Sequence, residues 1–148
     1  MSRGLGDVYK RQEYKCNLVK VVDGDTVDVD IDLGFGVWLR KQRIRLYGID
    51  TPESRTRDKV EKVYGLAAKD FLSKMLSTGE MSIKTHKDAK GKFGRILGEL
   101  FMKTSVGELS VNQSLVENSH AVRYYGQSKE VLLSEHLTNR KILNLTTE

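Results

Sequence analysis

The sequence predicts an α+β domain built on a five-stranded Greek-key barrel of the OB-fold type, with about three helices. Three observations lead to this prediction. Residues 13–47 contain three strand-like segments separated by glycine-containing turns, and residues 64–76 have apolar side chains at helical spacing. Two further strand-like segments and two helical segments follow between residues 81 and 143. Three strands, a helix, two strands and closing helices form the element order of such a barrel.

The first three strands form a meander. The first strand places Cys16 and Leu18 in the core and ends in an Asp-Gly-Asp turn. Residues 26–33 alternate strictly between apolar and polar, which is typical of a half-buried strand. A Gly-Phe-Gly hairpin then leads into a third strand that ends at Tyr47. The core face of the second strand consists of Val27, Val29, Ile31 and Leu33, and its solvent face consists of Asp28, Asp30 and Asp32.

The remaining elements alternate between helical and strand-like patterns. Residues 54–62 are polar and rich in Lys and Arg, so they predict a mobile basic loop. The next helix is expected to begin near Tyr64 and to stop at Gly79, because glycine is common just after a helix end. The last two strands are expected at 81–86 and 93–102, the charged turn between them at 87–92, and the last helices at 110–118 and 129–143.

The composition fits one folded domain. The chain has 148 residues, of which 39% are hydrophobic and 30% charged, enough for a real core. Lys and Arg exceed Asp and Glu by five, which favours a polyanionic partner, although that excess alone is weak support. The single cysteine, Cys16, excludes an internal disulfide framework and a cysteine-rich zinc site. No apolar run of 18 residues exists, so we expect no membrane-spanning helix and no membrane partner. We also expect a monomer.

Residues 1–12 (MSRGLGDVYKRQ) differ from the rest of the chain. They have no hydrophobic period and no signal-peptide core, and they resemble an adapter-derived translation at the start of unrelated metagenomic reading frames. We therefore expect a non-native or disordered segment at 1–12 and one domain at 13–148. The natural N-terminus, with any secretion signal, would then be lost, so the sequence leaves a secreted and a cytoplasmic location both open.

The segment 45–53 (RLYGIDTPE) carries the most chemistry in the chain, at the point where Gly48 and Pro52 break a strand. Arg45 is a planar, permanently charged fork suited to phosphate oxygens. Asp50 is a hard oxygen ligand for Ca²⁺ or Mg²⁺, and Glu53 is a carboxylate that could take a proton from water. Carboxylates for a cation beside an arginine for a phosphate indicate metal-assisted hydrolysis of a phosphodiester.

Each of the other motifs has a plain structural interpretation when it is taken alone. The Asp-Gly-Asp-Thr segment 23–26 predicts a turn. It fails as a helix–loop–helix calcium loop, because Asp28 and Gly34 stand where Gly and Glu are required. Arg95 fits a strand entry, and the adjacent tyrosines at 124 and 125 fit a packing role. The histidines, His86, His120 and His136, have no ligand spacing and are interpreted as non-catalytic.

The same motifs, taken together and in this order, resemble the thermonuclease family, whose members contain a staphylococcal-nuclease-like domain. The resemblance covers residues 14–126 well and the C-terminal tail poorly, because the tail lacks the tryptophan that usually ends the last helix of the family. The segments that carry the resemblance are 22–26 (VDGDT), 45–53 (RLYGIDTPE), 64–65 (YG), 92–95 (KFGR), 111–112 (VN) and 115–116 (LV).

The resemblance implies a calcium site and a set of catalytic groups. Asp25 and Asp50 would hold Ca²⁺ through carboxylate oxygens, and Thr51 would add its backbone carbonyl. Glu53 would act as the general base, or at least orient the attacking water. Two arginines would bind the scissile phosphate and stabilise the negative charge that grows on it. These arginines are Arg45 and Arg95.

The resemblance also implies a nucleic-acid substrate. Lys92 would contact its backbone, and Tyr125, with Tyr124 as the alternative, would stack on a base. Phe93 stands where the family often has tyrosine, so one hydroxyl contact to a phosphate is missing. The implied activity is Ca²⁺-dependent hydrolysis of DNA and RNA, preferably single-stranded, that leaves 3′-phosphates. The alternative is a catalytically silent nucleic-acid-binding OB-fold module, which the full set of site residues disfavours.

Overall fold

The structure is a computed structural model that describes residues 13–90 and 96–145, with the backbone alone for 87–90. The segment 1–12, which was predicted to be non-native or disordered, lies outside the described residues. No helix within those ranges is long and apolar enough to cross a membrane. The strands are β1 (Glu13–Asp23), β2 (Thr26–Gly34), β3 (Val37–Leu46), β4 (Ile49–Asp50), β5 (Met81–Lys90), β6 (Ile96–Thr104), β7 (Gly107–Ser110) and β8 (Val122–Arg123), and the helices are α1 (Lys59–Leu76), α2 (Val111–Glu117) and α3 (Lys129–Leu143).

Five of these strands close into a barrel. β1 pairs with β2 and β5, β2 with β3, and β5 with β6, all antiparallel. A short parallel pairing of β3 with β6, from Ile44 opposite Ile96 to Leu46 opposite Gly98, closes the ring. The predicted five-stranded OB-type barrel is therefore confirmed. β4, β7 and β8 were not predicted, because strands of two to four residues are too short to show a period.

The barrel interior and α1 share one hydrophobic core. Alternate residues of β2 point inward, so Val27, Val29 and Ile31 are buried as predicted. Leu72 of α1 is fully buried in the same core, and its truncation to Ala would cost about 2–5 kcal/mol. Cys16 is also buried, between β2 and β5, and burial raises the pKa of its thiol to about 12. It is an inert core residue rather than a reactive thiol.

Two apolar residues that were predicted to be in the core lie on the surface instead. Leu18 and Leu33 are each 37% exposed. An irregularity in strand pairing follows Leu18 in β1, and another follows at the β2–β3 hairpin, so the simple alternation fails at both places. The predicted solvent face of β2 is confirmed by two ion pairs across to β3, Asp28 with Arg43 and Asp30 with Arg40.

Helix α1 begins at Lys59 rather than near Tyr64, so the predicted basic loop is shorter than expected. The side chain of Asp58 caps the helix, since its Oδ1 accepts hydrogen bonds from the backbone N–H groups of Val60 at 3.0 Å and Glu61 at 3.1 Å. The first turn is largely exposed and has no apolar spacing. The sequence period therefore marked where the helix becomes buried, not where it begins.

The end of α1 and the following strands also differ from expectation. The cap residue Ser77 has a right-handed backbone conformation. Gly79 does not have the positive φ of the left-handed stop that was predicted. The Ser77 hydroxyl instead donates to a carbonyl of the last turn at 2.8 Å. β5 continues to Lys90, through part of the predicted charged turn, and β6 runs from Ile96 to Thr104.

Helix α3 has the predicted bounds but buries none of its residues. Polar contacts attach it to the rest of the domain. The Tyr64 hydroxyl donates to the Arg140 carbonyl at 3.3 Å and accepts from the Leu145 N–H at 3.0 Å. The Asn139 side chain donates to the Ala121 carbonyl at 3.2 Å. Hydrogen bonds, with partial burial of Leu132 and Leu143, therefore hold α3 on the surface.

Candidate active site

The turn that follows β3 is held from several sides. Gly48 has a φ of +78°, a left-handed conformation that favours glycine. The Tyr47 N–H donates to the Gly98 carbonyl, and the Tyr124 N–H donates to the Gly48 carbonyl, both at 2.8 Å. The buried side chain of Asn112 donates to the Tyr47 carbonyl at 2.9 Å and accepts from a β6 N–H at 3.2 Å. These bonds fix the backbone from which the segment 45–53 presents its side chains.

Arg45 is locked by its own turn. Its Nη1 donates to the carbonyls of Leu46 and Ile49, each at 2.8 Å. Its Nη2 lies 3.4 Å from Asp25 Oδ2 and 3.4 Å from Asp50 Oδ1. Two carboxylates that approach the same nitrogen from different segments must lie close to each other. The predicted metal carboxylates and the predicted phosphate ligand therefore form one cluster.

Asp25 is the most enclosed member of this cluster. Its Oδ1 accepts from the Thr26 hydroxyl at 3.0 Å, and its Oδ2 accepts from the Thr51 N–H at 3.3 Å. Burial raises the pKa of Asp25; Arg45 opposes this effect, and the nearby Asp50 adds to it. The Thr51 contact joins the turn after β1 to the segment after β4, so two distant parts of the chain meet in the site.

Glu53 lies beside three aspartates. Burial, the charges of Asp23 and Asp25, a hydrogen bond with Asp23 and the charge of Asp50 raise the pKa of Glu53 from 4.5 to about 7. Asp23 belongs to the site, although the sequence indicated only a turn there. Its position two residues before Asp25 was the available signal, and it was too weak to distinguish a ligand group from a turn former.

Helix α1 supports the Glu53 segment through a close backbone approach. A Cβ at Gly65 would overlap the Glu53 carbonyl, so only glycine allows the helix to lie this close. The Glu61 carboxylate accepts from the Glu53 N–H at 3.1 Å. Gly24 has a similar role, because a Cβ there would lie 2.9 Å from Thr51 Oγ1. Two glycines thus set the spacing between the segments that carry the clustered side chains.

A cleft of about 1060 Å³ opens beside the cluster. Arg45, Asp50, Tyr124 and Tyr125 are among the residues that line it. Tyr125 is 73% exposed, so its ring is available to a ligand. Both tyrosines that were predicted as stacking candidates therefore border the same cleft as the charged groups. Three residues with predicted roles lie outside the described residues: Lys92, Phe93 and Arg95.

Comparison with known families agrees with this arrangement. Residues 43–142 match the model of the family described as staphylococcal nuclease homologue. The chain belongs to this family. The match extends through α3, so the C-terminal tail belongs to the family domain more fully than the sequence motifs indicated.

Individual relatives are similar at low identity. A thermonuclease of Staphylococcus hyicus is 30% identical over 81% of this chain and 63% of its own length. A thermonuclease of Staphylococcus intermedius is 32% identical over 56% of this chain and 46% of its own length. A micrococcal nuclease of Shigella flexneri is 25% identical over 84% of this chain and 67% of its own length. The chain thus spans less than two thirds of the length of both thermonucleases.

The donor groups in this staphylococcal-nuclease-type site fit a hard cation. Asp25 and Asp50 provide carboxylate oxygens, the ligand type that Ca²⁺ prefers. Burial, and then the charge of Asp50, raises the pKa of Asp25. Within the ranges that the structure describes, no three Asp, Glu, His or Cys side chains enclose a metal by themselves. A bound ion would therefore need further oxygen ligands, for which the Thr51 carbonyl and water are suitable.

His136 is the residue that sequence reasoning set aside and the structure brings to the cluster. Its Nε2 lies 2.8 Å from Asp50 Oδ2, and its side chain is 12% exposed. The two residues are 86 positions apart in the sequence. No local sequence pattern predicts such a contact, because the contact depends on where α3 lies against the barrel.

Proposed function

We propose that this chain is a Ca²⁺-dependent phosphodiesterase that hydrolyses DNA and RNA, prefers single strands and leaves 3′-phosphates. The observation that carries the proposal is the meeting of Arg45, Asp25, Asp50 and Glu53 beside a cleft bordered by exposed tyrosines. A binding module needs the basic and aromatic groups, but it has no need for clustered carboxylates that repel a polyanion.

The cation would be held by Asp25, Asp50 and the carbonyl of Thr51. When bound, Ca²⁺ would act as a Lewis acid that polarises the phosphate and offsets its charge. Burial, together with the charges of the neighbouring carboxylates, raises the pKa of both Asp25 and Glu53. The protein therefore maintains an electrostatically unfavourable cluster at this place, which is common at functional sites.

Glu53 has the properties of a general base. A carboxylate with its pKa at about 7 is more basic than an ordinary glutamate and is still substantially ionised near neutral pH. Its backbone is fixed by α1 through Glu61 and Gly65. Glu53 can therefore orient an attacking water and accept its proton without a large rearrangement of the chain.

Arg45 would hold the scissile phosphate and stabilise the charge that develops on it. Its Nη1 is already fixed by two backbone carbonyls, so the direction of the guanidinium is set before the substrate arrives. Such preorganised donors cost little reorganisation during the reaction. Arg95 would be the second guanidinium, on the basis of the family resemblance.

The cleft supports the proposed preference for single strands. Tyr124 and Tyr125 could stack only on a base that is not already stacked in a duplex, and stacking tolerates any base. Lys92 would add a contact to the substrate backbone. We therefore expect cleavage with little sequence preference, faster on single-stranded than on double-stranded DNA.

The test is release of acid-soluble nucleotides from single-stranded DNA in Ca²⁺, repeated after exhaustive chelation. End-group analysis of the products checks for 3′-phosphates. Asp30→Asn is the control, because Asp30 bonds to Arg40 and the Lys41 N–H and to none of the site residues. Salt-dependent binding without any nucleotide release in Ca²⁺ would instead establish the silent binding module.

A further inference from the structure

The contact between His136 and Asp50 joins the last helix to the proposed cation site. An ionised carboxylate can only accept, so the Nε2–H of His136 is the donor to Asp50 Oδ2 at 2.8 Å. The other oxygen, Oδ1, lies 3.4 Å from Arg45 Nη2. Each oxygen of Asp50 therefore has a separate partner, one from β3 and one from α3. This arrangement fixes the rotation of the carboxylate as well as its position.

Helix α3 has few other attachments. It buries no residue, and hydrogen bonds from Asn139 and to Arg140 tie its C-terminal half to the domain. His136 is 12% exposed and lies one turn before these contacts. For a helix that buries no residue completely, a charge-assisted bond to a carboxylate is a substantial part of the attachment.

We propose that His136 is a positioning residue that orients Asp50 for the cation and couples the docking of α3 to occupancy of the site. The proposal rests on the proposed function, since it requires Asp50 to be a Ca²⁺ ligand. Hydrogen bonds to metal-binding groups typically affect metal affinity by about 10- to 100-fold. Because coupling between two sites is reciprocal, the effect of docked α3 on Ca²⁺ affinity equals the effect of Ca²⁺ on the docking of α3.

The first experiment measures Ca²⁺ affinity of the full chain by calorimetric titration, without nucleic acid. His136→Ala should raise the Kd by about 10- to 100-fold. His136→Gln, whose Nε2–H can reach a similar position, should recover most of the affinity. Leu133→Ala is the matched control, because Leu133 is an exposed residue of the same helix, and it should leave the Kd unchanged.

The second experiment measures amide hydrogen exchange in α3 with and without Ca²⁺. In the parent protein Ca²⁺ should slow exchange in α3, and in His136→Ala this protection should disappear. A lower Tm of His136→Ala with an unchanged Kd would mean a purely structural role and would overturn the inference. An absence of added protection in the parent protein would overturn it too.

Failure of the inference and failure of the proposed function give different results. If the parent protein does not bind Ca²⁺, the proposed function is wrong and the inference falls with it. If the parent protein binds Ca²⁺ and His136→Ala binds it equally well, only the inference is wrong. The test stays valid even if His136→Ala is less stable, because His136→Gln provides a second variant for both measurements.

Discussion

Replacing Glu53 with Gln should have opposite effects on activity and on stability. The substitution keeps the size of the side chain and its capacity for hydrogen bonds, but it removes the charge and the basicity. If Glu53 takes the proton of the attacking water, turnover in Ca²⁺ should fall by ~10²–10⁴. Binding of single-stranded DNA should change little, because Arg45 and the cleft tyrosines are untouched.

The effect on stability follows from the pKa of Glu53, which the fold raises from 4.5 to about 7. The folded protein therefore binds this proton more tightly than the unfolded chain does. The stability that results is fully present below pH 4.5 and is lost as the pH rises through about 7. Because Glu53 is only partly withdrawn from solvent, which screens its charge, we expect a cost of only about 1 kcal/mol above that pH.

Glu53→Gln should therefore raise the Tm of the Ca²⁺-free protein by roughly 2–4 °C at pH 8, and it should leave the Tm nearly unchanged at pH 4. Thermal unfolding followed by circular dichroism in chelator measures both values. Glu80→Gln is the control, because Glu80 is exposed and apart from the cluster. Near-normal turnover in a folded variant, or an equal shift in Tm at both pH values, would refute the reasoning.

Three further predictions address the cation, the phosphate ligand and the cleft. Nucleotide release should be high in Ca²⁺, low in Mg²⁺ alone and lost on chelation, because two carboxylates and a carbonyl form an irregular site that Ca²⁺ tolerates better; full activity after chelation would contradict the mechanism. Arg45→Lys should lower kcat by ~10²–10³. The reason is that an ammonium cannot bind the carbonyls of Leu46 and Ile49 and a phosphate at the same time. Arg40→Lys, which alters an exposed ion pair, is the control and should leave kcat unchanged. Tyr125→Ala should weaken binding of single-stranded DNA by about 1–3 kcal/mol, measured by fluorescence anisotropy, and affinity should fall as salt rises; salt-independent binding would argue against a basic cleft.

The sequence predicted those parts of the fold whose signals are local. The period of two in β2 placed Val27, Val29 and Ile31 in the core, and each is buried. It misplaced Leu18, because the pairing irregularity beside it is decided by the neighbouring strand. It also missed the first turn of α1, because that turn is largely exposed and its one apolar residue, Val60, forms no helical spacing.

The candidate site also has residues that local sequence could bring together and residues that it could not. The proximity of Arg45, Asp50 and Glu53 could be predicted because the three residues share one short segment. Asp25 needed the family resemblance, since the bond that brings it to Thr51 joins positions 26 residues apart. His136 could not be predicted from either source, because its contact with Asp50 depends on the packing of α3.

Chemical labelling of the single cysteine can report the opening of the barrel. Cys16 lies in β1 between partners in β2 and β5, and its pKa of about 12 means that almost none of the reactive thiolate exists at neutral pH. An added thiol reagent can therefore label the chain only when β1 separates from β2 or β5. Until then, burial prevents both the ionisation of the thiol and the access of the reagent to it. Because the sequence has one cysteine, each labelled chain has opened at this place at least once, and the measurement needs no engineered probe.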